Sequence, residues 1–383
     1  MKPSPAVQLH ELGQSVWLDN ISDGYIQSGE LARWIAEGSM YGVTSNPTIF
    51  KNAIGSNQFS YPAEILRHAS AGKTPEQIYE EVAVRDITRT ADLLSETFRR
   101  AKNPGRDGFV SLEVRPQLAR DTAATIDEAK RYWRWVSRPN LFVKVPATPA
   151  GIPAIESLIA DGISVNVTLI FGPKQYVDVA EAYRRGIERR LQSGGSLQGL
   201  HSVASLFVSR LDTSVDKELD AKADATNDLA TRESLLALRG SAGVANALEV
   251  WDEYRARFFG SSFEGLARRG ARPQWMLWAS TGTKNPTYPD TKYVDELAGP
   301  DSINTMPKET LDALLDHGVV TGNRLDPRLE TARTTRKALA QAGIDLPAHC
   351  SKLLDEGVAA FQKSFDELID TIRERSTALL QRR

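Results

Sequence analysis

Ser164-Val165-Asn166-Val167-Thr168-Leu169-Ile170-Phe171 is the stretch whose reading decides the fold. Val165, Val167 and Leu169 alternate with Ser164, Asn166 and Thr168, the period of a strand whose successive side chains point to opposite faces. One face is apolar and the other carries small polar groups. The same holds in residues 109–115, where Val110, Leu112 and Val114 oppose Ser111, Glu113 and Arg115, and in residues 202–209, where Ala204, Leu206 and Val208 oppose Ser205, Phe207 and Ser209. Strands of an open parallel sheet are covered by helices on both faces and read as unbroken apolar runs. An antiparallel sheet with one wet face would also alternate, but long helical patterns separate these strands. A barrel with a polar upper interior fits the pattern better.

Working outward, further β-rich runs occur at 15–20, 41–46, 141–147, 274–281 and, more weakly, 302–306, giving eight in all. Between them lie helical patterns: one begins at Thr74-Pro75-Glu76-Gln77, a capping box with proline at the first helical position, and others cover about 121–136 and 173–191. Eight strands alternating with helices predict an α/β chain folded as a (β/α)8 TIM barrel with additional helices. A doubly wound open sheet is the competitor on element order alone. The expected catalytic barrel covers 1–320 and includes a charge-rich helical insertion around 212–270; residues 321–383 form a helical C-terminal extension. In that extension Leu354, Val358, Phe361, Phe365, Leu368 and Ile372 step by 4, 3, 4, 3 and 4, an apolar stripe expected to pack on the barrel, with a dimer seam as the alternative. Monomer and homodimer both remain open.

The chain has 383 residues, 41% hydrophobic and 25% charged, with net charge −2. That balance argues against nucleic acid or an anionic membrane as the main partner. The single cysteine, Cys350, excludes an internal disulfide framework and suits a reducing, cytoplasmic setting. No charged-then-apolar leader is seen and the apolar runs are strand-sized, so no secretory signal or transmembrane helix is expected. The five histidines (10, 68, 201, 317 and 349) lack ligand-like spacing, so no metal site is expected.

The chemistry centres on Leu141-Phe142-Val143-Lys144-Val145-Pro146, where a lysine interrupts an apolar run. Lysine is rarely buried unpaired; burial disfavours its charged form, and the neutral amine is a nucleophile toward carbonyls. Parity turns Lys144 to the same face as Phe142 and Pro146, and Glu113 and Thr168 likewise turn inward. At the C-terminal ends of the strands, where barrel enzymes keep their catalytic groups, stand Asp19, Asn46, Glu113, Lys144, Asn166, Thr168 and Ser205. Each also has a plainer reading. Lys144 could serve only as the partner of Glu113 or Asp19 in a buried ion pair, Asp19 could start a loop, Asn46 before Pro47 could be turn chemistry, and Thr168 would suit any strand.

Five segments together resemble the transaldolase family, of its longer bacterial type: Trp17-Leu18-Asp19-Asn20, Gly42-Val43-Thr44-Ser45-Asn46-Pro47, Ser111-Leu112-Glu113-Val114, Val143-Lys144-Val145-Pro146-Ala147-Thr148 and Asn166-Val167-Thr168-Leu169-Ile170-Phe171. Ser205-Leu206-Phe207-Val208-Ser209-Arg210 and Asn304-Thr305-Met306-Pro307 extend the likeness over roughly residues 11 to 320. The resemblance implies a metal-free, cofactor-free mechanism in which Lys144 forms a Schiff base with a ketose phosphate. Asp19 matches the general acid/base, and Glu113 with Thr168 the pair that holds a water for proton shuttling. Asn46, Asn166 and Ser205 match groups that bind the dihydroxyacetone unit. Arg210 and Ser280 match phosphate-binding residues. The family's usual serine–aromatic–arginine sequence is replaced here by the longer Ser280-Thr281-Gly282-Thr283-Lys284, so Lys284 stands where a bidentate arginine is common. The implied reaction moves a dihydroxyacetone unit from sedoheptulose 7-phosphate to glyceraldehyde 3-phosphate in the pentose phosphate pathway. A fructose-6-phosphate aldolase-type lyase is the nearest alternative; that subgroup is shorter and carries tyrosine where this chain has Phe207. A pyridoxal-phosphate barrel would need a pyridinium partner and a glycine-rich phosphate cup, neither of which is evident near Lys144. A non-catalytic sugar-phosphate-binding barrel would leave Asp19, Glu113 and Lys144 without a common purpose.

Overall fold

The computed structural model describes residues 3–56, 58–102 and 104–381. All eight expected strands are present: β1 (Gln14–Leu18), β2 (Gly42–Val43), β3 (Val110–Glu113), β4 (Leu141–Pro146), β5 (Val165–Ile170), β6 (Ser202–Phe207), β7 (Trp275–Ala279) and β8 (Ser302–Met306). They form a closed parallel barrel in sequence order, shut by β1 against β8 from Gln14↔Ser302 to Leu18↔Met306. Closure leaves no sheet edge, and the helices outside cover the Val/Leu/Ile face. Thr74 caps the helix Pro75–Leu93 through a complete capping box with Gln77, and Asp121 caps Thr122–Val136 by accepting from Ala124 N–H. Among the described residues no helix is long and apolar enough to cross a membrane.

Two strands depart from the expected pattern. β2 narrows to Gly42–Val43 because its chain turns at once into the helix Pro47–Gly55, whose N-cap is Asn46. Gly42 is fixed there by Trp17: a Cβ would lie 2.4 Å from that indole. In β5 the inside–outside alternation holds through Thr168 and then breaks. The register against β6 shifts between Val167 and Ile170, with Leu169 at φ 58°, a left-handed conformation costly for a non-glycine residue.

The barrel interior is aromatic below and polar above. Trp17, Phe142 and Phe109 fill the lower part, with ring centroids 6.3 Å and 4.2 Å apart in successive stacked pairs. Two residues beyond Phe142, on the same inward face, Lys144 stands in register with Glu113 on β3 and Asn166 on β5, which sets three polar side chains side by side above this plug.

The insertion around 212–270 carries Leu229–Ala237, Ala242–Phe258 and Ser261–Ala267. The C-terminal helix Leu346–Gln381 has 36 residues, about 54 Å at 1.5 Å per residue. It lies on the helices Pro47–Gly55, Tyr61–Ser70 and Pro75–Leu93. Thr48 donates to Ser364 at 2.9 Å, Lys51 pairs with Glu367 at 2.9 Å, and Arg375 donates to the carbonyls of Ile54 and Gly55 at the end of the Pro47–Gly55 helix. A cation at a helix C-terminus is favourable against both the orphan carbonyls and the dipole. Phe361, Phe365, Leu368 and Ile372 of the expected stripe are buried, whereas Leu354 and Val358 are half-buried and Leu353 and Gly357 take the inner positions. Phe365 is 3% exposed and packs edge-on against Tyr79 at 5.1 Å. Phe365→Ala should lower unfolding stability by about 3–5 kcal/mol in urea titration; a loss under about 1 kcal/mol would mean that this helix is not part of the cooperative core.

Candidate active site

The C-terminal ends of the strands enclose a cavity of about 190 Å³. Its floor is Lys144 and Thr168. One wall is Asp19, Thr44 and Asn46, the opposite wall Ser205 and Phe207, and the rim carries Arg210, Ser280 and Lys284. Glu113 and Asn166 lie behind the lining, in contact with it. All eleven residues singled out from the sequence therefore converge on one site. A larger cavity, about 600 Å³, lies between the C-terminal helix and the segments that follow β4 and β5, near Cys350, Gly172 and Leu346. It contains none of those eleven.

Lys144 is 4% exposed, and its Nζ donates to the Ser45 carbonyl at 3.0 Å while lying 3.3 Å from Glu113 Oε2. The carboxylate contact is an ion-pair distance without good hydrogen-bond direction, since Oε2 has no hydrogen-bond partner among the described residues. Thr168 Oγ1 is likewise buried without a partner. Burial pushes the Glu113 carboxyl above its ordinary value, and the Lys144 charge pulls it partly back. The plainer reading of Lys144 as an ion-pair partner is thus correct as geometry, and it leaves the amine at the cavity surface.

Asp19 follows directly on β1, its N–H bonded to the Met306 carbonyl of β8. Thr44 Oγ1 donates to Asp19 Oδ1 at 2.6 Å and also lies 2.6 Å from Thr305 Oγ1. This threonine pair orients the carboxylate. Asn166 is fully enclosed: its Nδ2 donates to Ser111 Oγ at 3.0 Å and its Oδ1 accepts from Ser205 Oγ at 2.7 Å. Asn46 has a double position, since its Oδ1 caps the next helix by accepting from Ile49 N–H at 3.0 Å while the residue lines the cavity. Turn chemistry and site chemistry coincide in one side chain.

At the rim, Arg210 opens the helix Ser209–Ala225. Its guanidinium lies over two rings, Phe207 at 5.2 Å and Phe361 at 5.8 Å. Among the described residues no carboxylate comes within ion-pair distance of Arg210 or of Lys284. Burial draws the Arg210 guanidinium below its ordinary value, opposed by the more distant Asp19, Glu113 and Glu356 charges. Ser280, at φ 54°, ends β7 in a left-handed turn, and its hydroxyl meets that of Ser209 at 3.0 Å. Lys284 is exposed on the loop beyond. The rim thus carries two cations that have no carboxylate partner among the described residues, with the Ser280 hydroxyl on the same lining.

Sequence reasoning did not assign Thr44, Thr305 or Phe361. The threonines carried a signal, being polar at inward parity beside Asp19. Phe361 carried none, because an apolar residue in an apolar stripe reads as core.

A family model described as Transaldolase/Fructose-6-phosphate aldolase matches residues 16–372. The chain is 44% identical to the transaldolase of Thermobifida fusca (strain YX) over 375 residues, covering 98% of this chain and 99% of that one. It is 46% identical over 361 residues to the transaldolase of Thiobacillus denitrificans, with 94% and 97% covered, and 44% identical over 362 residues to that of Mycolicibacterium smegmatis, with 94% and 95% covered. The chain belongs to the transaldolase/fructose-6-phosphate aldolase family.

Proposed function

We propose that this chain is a transaldolase that moves a dihydroxyacetone unit from sedoheptulose 7-phosphate to glyceraldehyde 3-phosphate, in the cytoplasmic, non-oxidative pentose phosphate pathway. The observation that carries the reading is a buried amine, Lys144 Nζ, 3.3 Å from a buried carboxyl at the floor of a cavity whose rim holds a guanidinium with no carboxylate partner among the described residues.

Lys144 Nζ adds to the C2 ketone, and loss of water leaves a protonated imine. Glu113 Oε2 and Thr168 Oγ1, both without a hydrogen-bond partner among the described residues, suit a bridging water that carries protons in this step. The iminium draws electrons from the C3–C4 bond while Asp19 takes the C4 hydroxyl proton, releasing erythrose 4-phosphate. The enamine left on Lys144 attacks the aldehyde carbon of glyceraldehyde 3-phosphate, Asp19 returns its proton, and hydrolysis of the new imine frees fructose 6-phosphate. Ser205, Asn166 and Asn46 hold the hydroxyls of the retained unit. Borohydride reduction with fructose 6-phosphate, followed by peptide mapping, should give one adduct on the peptide holding Lys144. An adduct on another lysine, or none, defeats the reading.

The family description also covers a lyase that releases dihydroxyacetone. Phe207 favours transfer: its ring packs on Phe171 at 5.3 Å and under Arg210, and it offers no hydroxyl to protonate the intermediate. Dihydroxyacetone set free without an aldose acceptor, at a rate matching transfer, would favour the lyase.

The rim cations should divide unequally. Arg210→Ala removes a half-buried charged donor worth about 1.5–3 kcal/mol, roughly a 10- to 150-fold loss in kcat/KM for phosphorylated donors. Lys284→Ala, at an exposed position, should cost only about 0.2–1 kcal/mol, a factor below about six. The reverse order in steady-state kinetics would move the phosphate to the loop.

A further inference from the structure

We propose that Phe361, on the C-terminal helix, is a positioning residue of the active site: its ring and that of Phe207 fix the Arg210 guanidinium and roof the Lys144 amine, so that this helix governs retention of the covalent intermediate. The inference rests on the Schiff-base reading above and deepens it.

Phe361 is 4% exposed, and it lines the cavity. Its ring centroid lies 6.0 Å from Lys144 Nζ and 5.8 Å from Arg210 Cζ, while Phe207 holds the other ring 5.2 Å from that carbon. The guanidinium has neither an ion-pair partner nor a protein acceptor among the described residues, so ring faces are the contacts that orient it. Planar stacking suits guanidinium and directs its N–H fork within the ring plane toward an anion.

One turn earlier the helix passes still closer. A Cβ on Gly357 would lie 3.0 Å from Leu169 Cδ2 and 3.6 Å from Arg210 Nη1. Mid-helix glycine costs roughly 1 kcal/mol relative to alanine, and here its bare Cα lets the helix settle beside the guanidinium and the left-handed Leu169. Thr48–Ser364 and Lys51–Glu367 then tie the following turns to the helix that Asn46 caps. Phe361 is thereby held by the same elements that hold the site.

Retention depends on keeping water from the enamine. Release requires a proton on C3, attack of water on the C2 iminium and departure of dihydroxyacetone, which restores the free Lys144 amine. An apolar ring above Nζ obstructs both the proton donor and the water.

The test uses the full chain with Phe361→Leu, Phe361→Met and Phe361→Tyr. KM and kcat for fructose 6-phosphate with an erythrose 4-phosphate acceptor are measured, as is dihydroxyacetone released without acceptor. Phe361→Leu should raise KM by roughly tenfold, the factor matching a cation–π contact of about 1.4 kcal/mol. It should also increase free dihydroxyacetone severalfold relative to transfer. Phe361→Tyr keeps the ring and should hold KM within about twofold. Phe361→Met refills the space flexibly and takes the place of the leucine variant if that protein does not accumulate. Unchanged KM and release in Phe361→Leu or Phe361→Met, or an equal KM shift in Phe361→Tyr, overturns the proposal. Borohydride trapping on wild-type Lys144 separates the two failures: without an adduct the Schiff-base reading falls, and with one only the role of Phe361 does.

Discussion

Lys144→Met should reduce transfer to the uncatalysed background, a loss on the order of 10⁴-fold or more, and should abolish the borohydride adduct. Methionine keeps an unbranched chain of similar length against Phe142 and Pro146, so the variant tests the amine rather than the packing. The same substitution changes the electrostatics of the barrel floor. Removing one member of a buried pair typically costs about 3–5 kcal/mol because the other charge is left uncompensated. Glu113 has an escape: burial already pushes its carboxyl above the ordinary 4.5, and without the lysine charge nothing comparable pulls it down. The folded variant therefore binds a proton there more tightly than the unfolded chain does. Stability should be greatest below about pH 4.5, fall as pH rises toward the raised folded value and stay low above it. Urea unfolding at about pH 5 and about pH 8 reads the difference; an equal loss at both would show that Glu113 does not take up the proton.

The polar floor of the barrel was legible because parity and register are simple. Glu113, Lys144 and Asn166 stand opposite one another on adjacent parallel strands, and a period of two turns all three inward. A polar residue at an inward position is visible in a single sequence. Leu169 shows where this stops: one left-handed residue breaks the alternation, and nothing in an apolar Leu-Ile-Phe run announces it. The brevity of β2 was hidden for a different reason, since Asn46 and Pro47 read equally well as the end of a strand and the start of a helix. Phe361 was illegible in principle. Its contacts with Lys144 and Arg210 join residues more than 150 positions apart, and its stripe has the same periodicity whether it meets a closed core or the roof of a cavity. Arg210 lies between these cases. Its cationic character was plain, but its lack of a carboxylate partner is a property of three-dimensional neighbours alone.

Asp19→Ala should separate covalent capture from carbon–carbon bond cleavage. In the proposed mechanism imine formation uses Lys144, Glu113 and a proton carrier, and the Asp19 wall lies to one side of that group. The variant should therefore still yield the borohydride adduct while turnover falls by about 10²–10⁴-fold, the usual worth of a positioned general acid/base. Asp19→Asn sharpens the test, because an amide oxygen can still accept the Thr44 hydroxyl that reaches Asp19 Oδ1 at 2.6 Å, yet it cannot take a proton. If orientation of the wall were what mattered, asparagine would restore most of the rate; if proton transfer matters, it should be nearly as slow as alanine. Thr44→Val, which removes the orienting bond and keeps the carboxylate, should cost only the net worth of one charge-assisted hydrogen bond, about 1.5–3 kcal/mol. An asparagine variant faster than the valine variant would take the proton-transfer role from Asp19 and leave it a purely positional one.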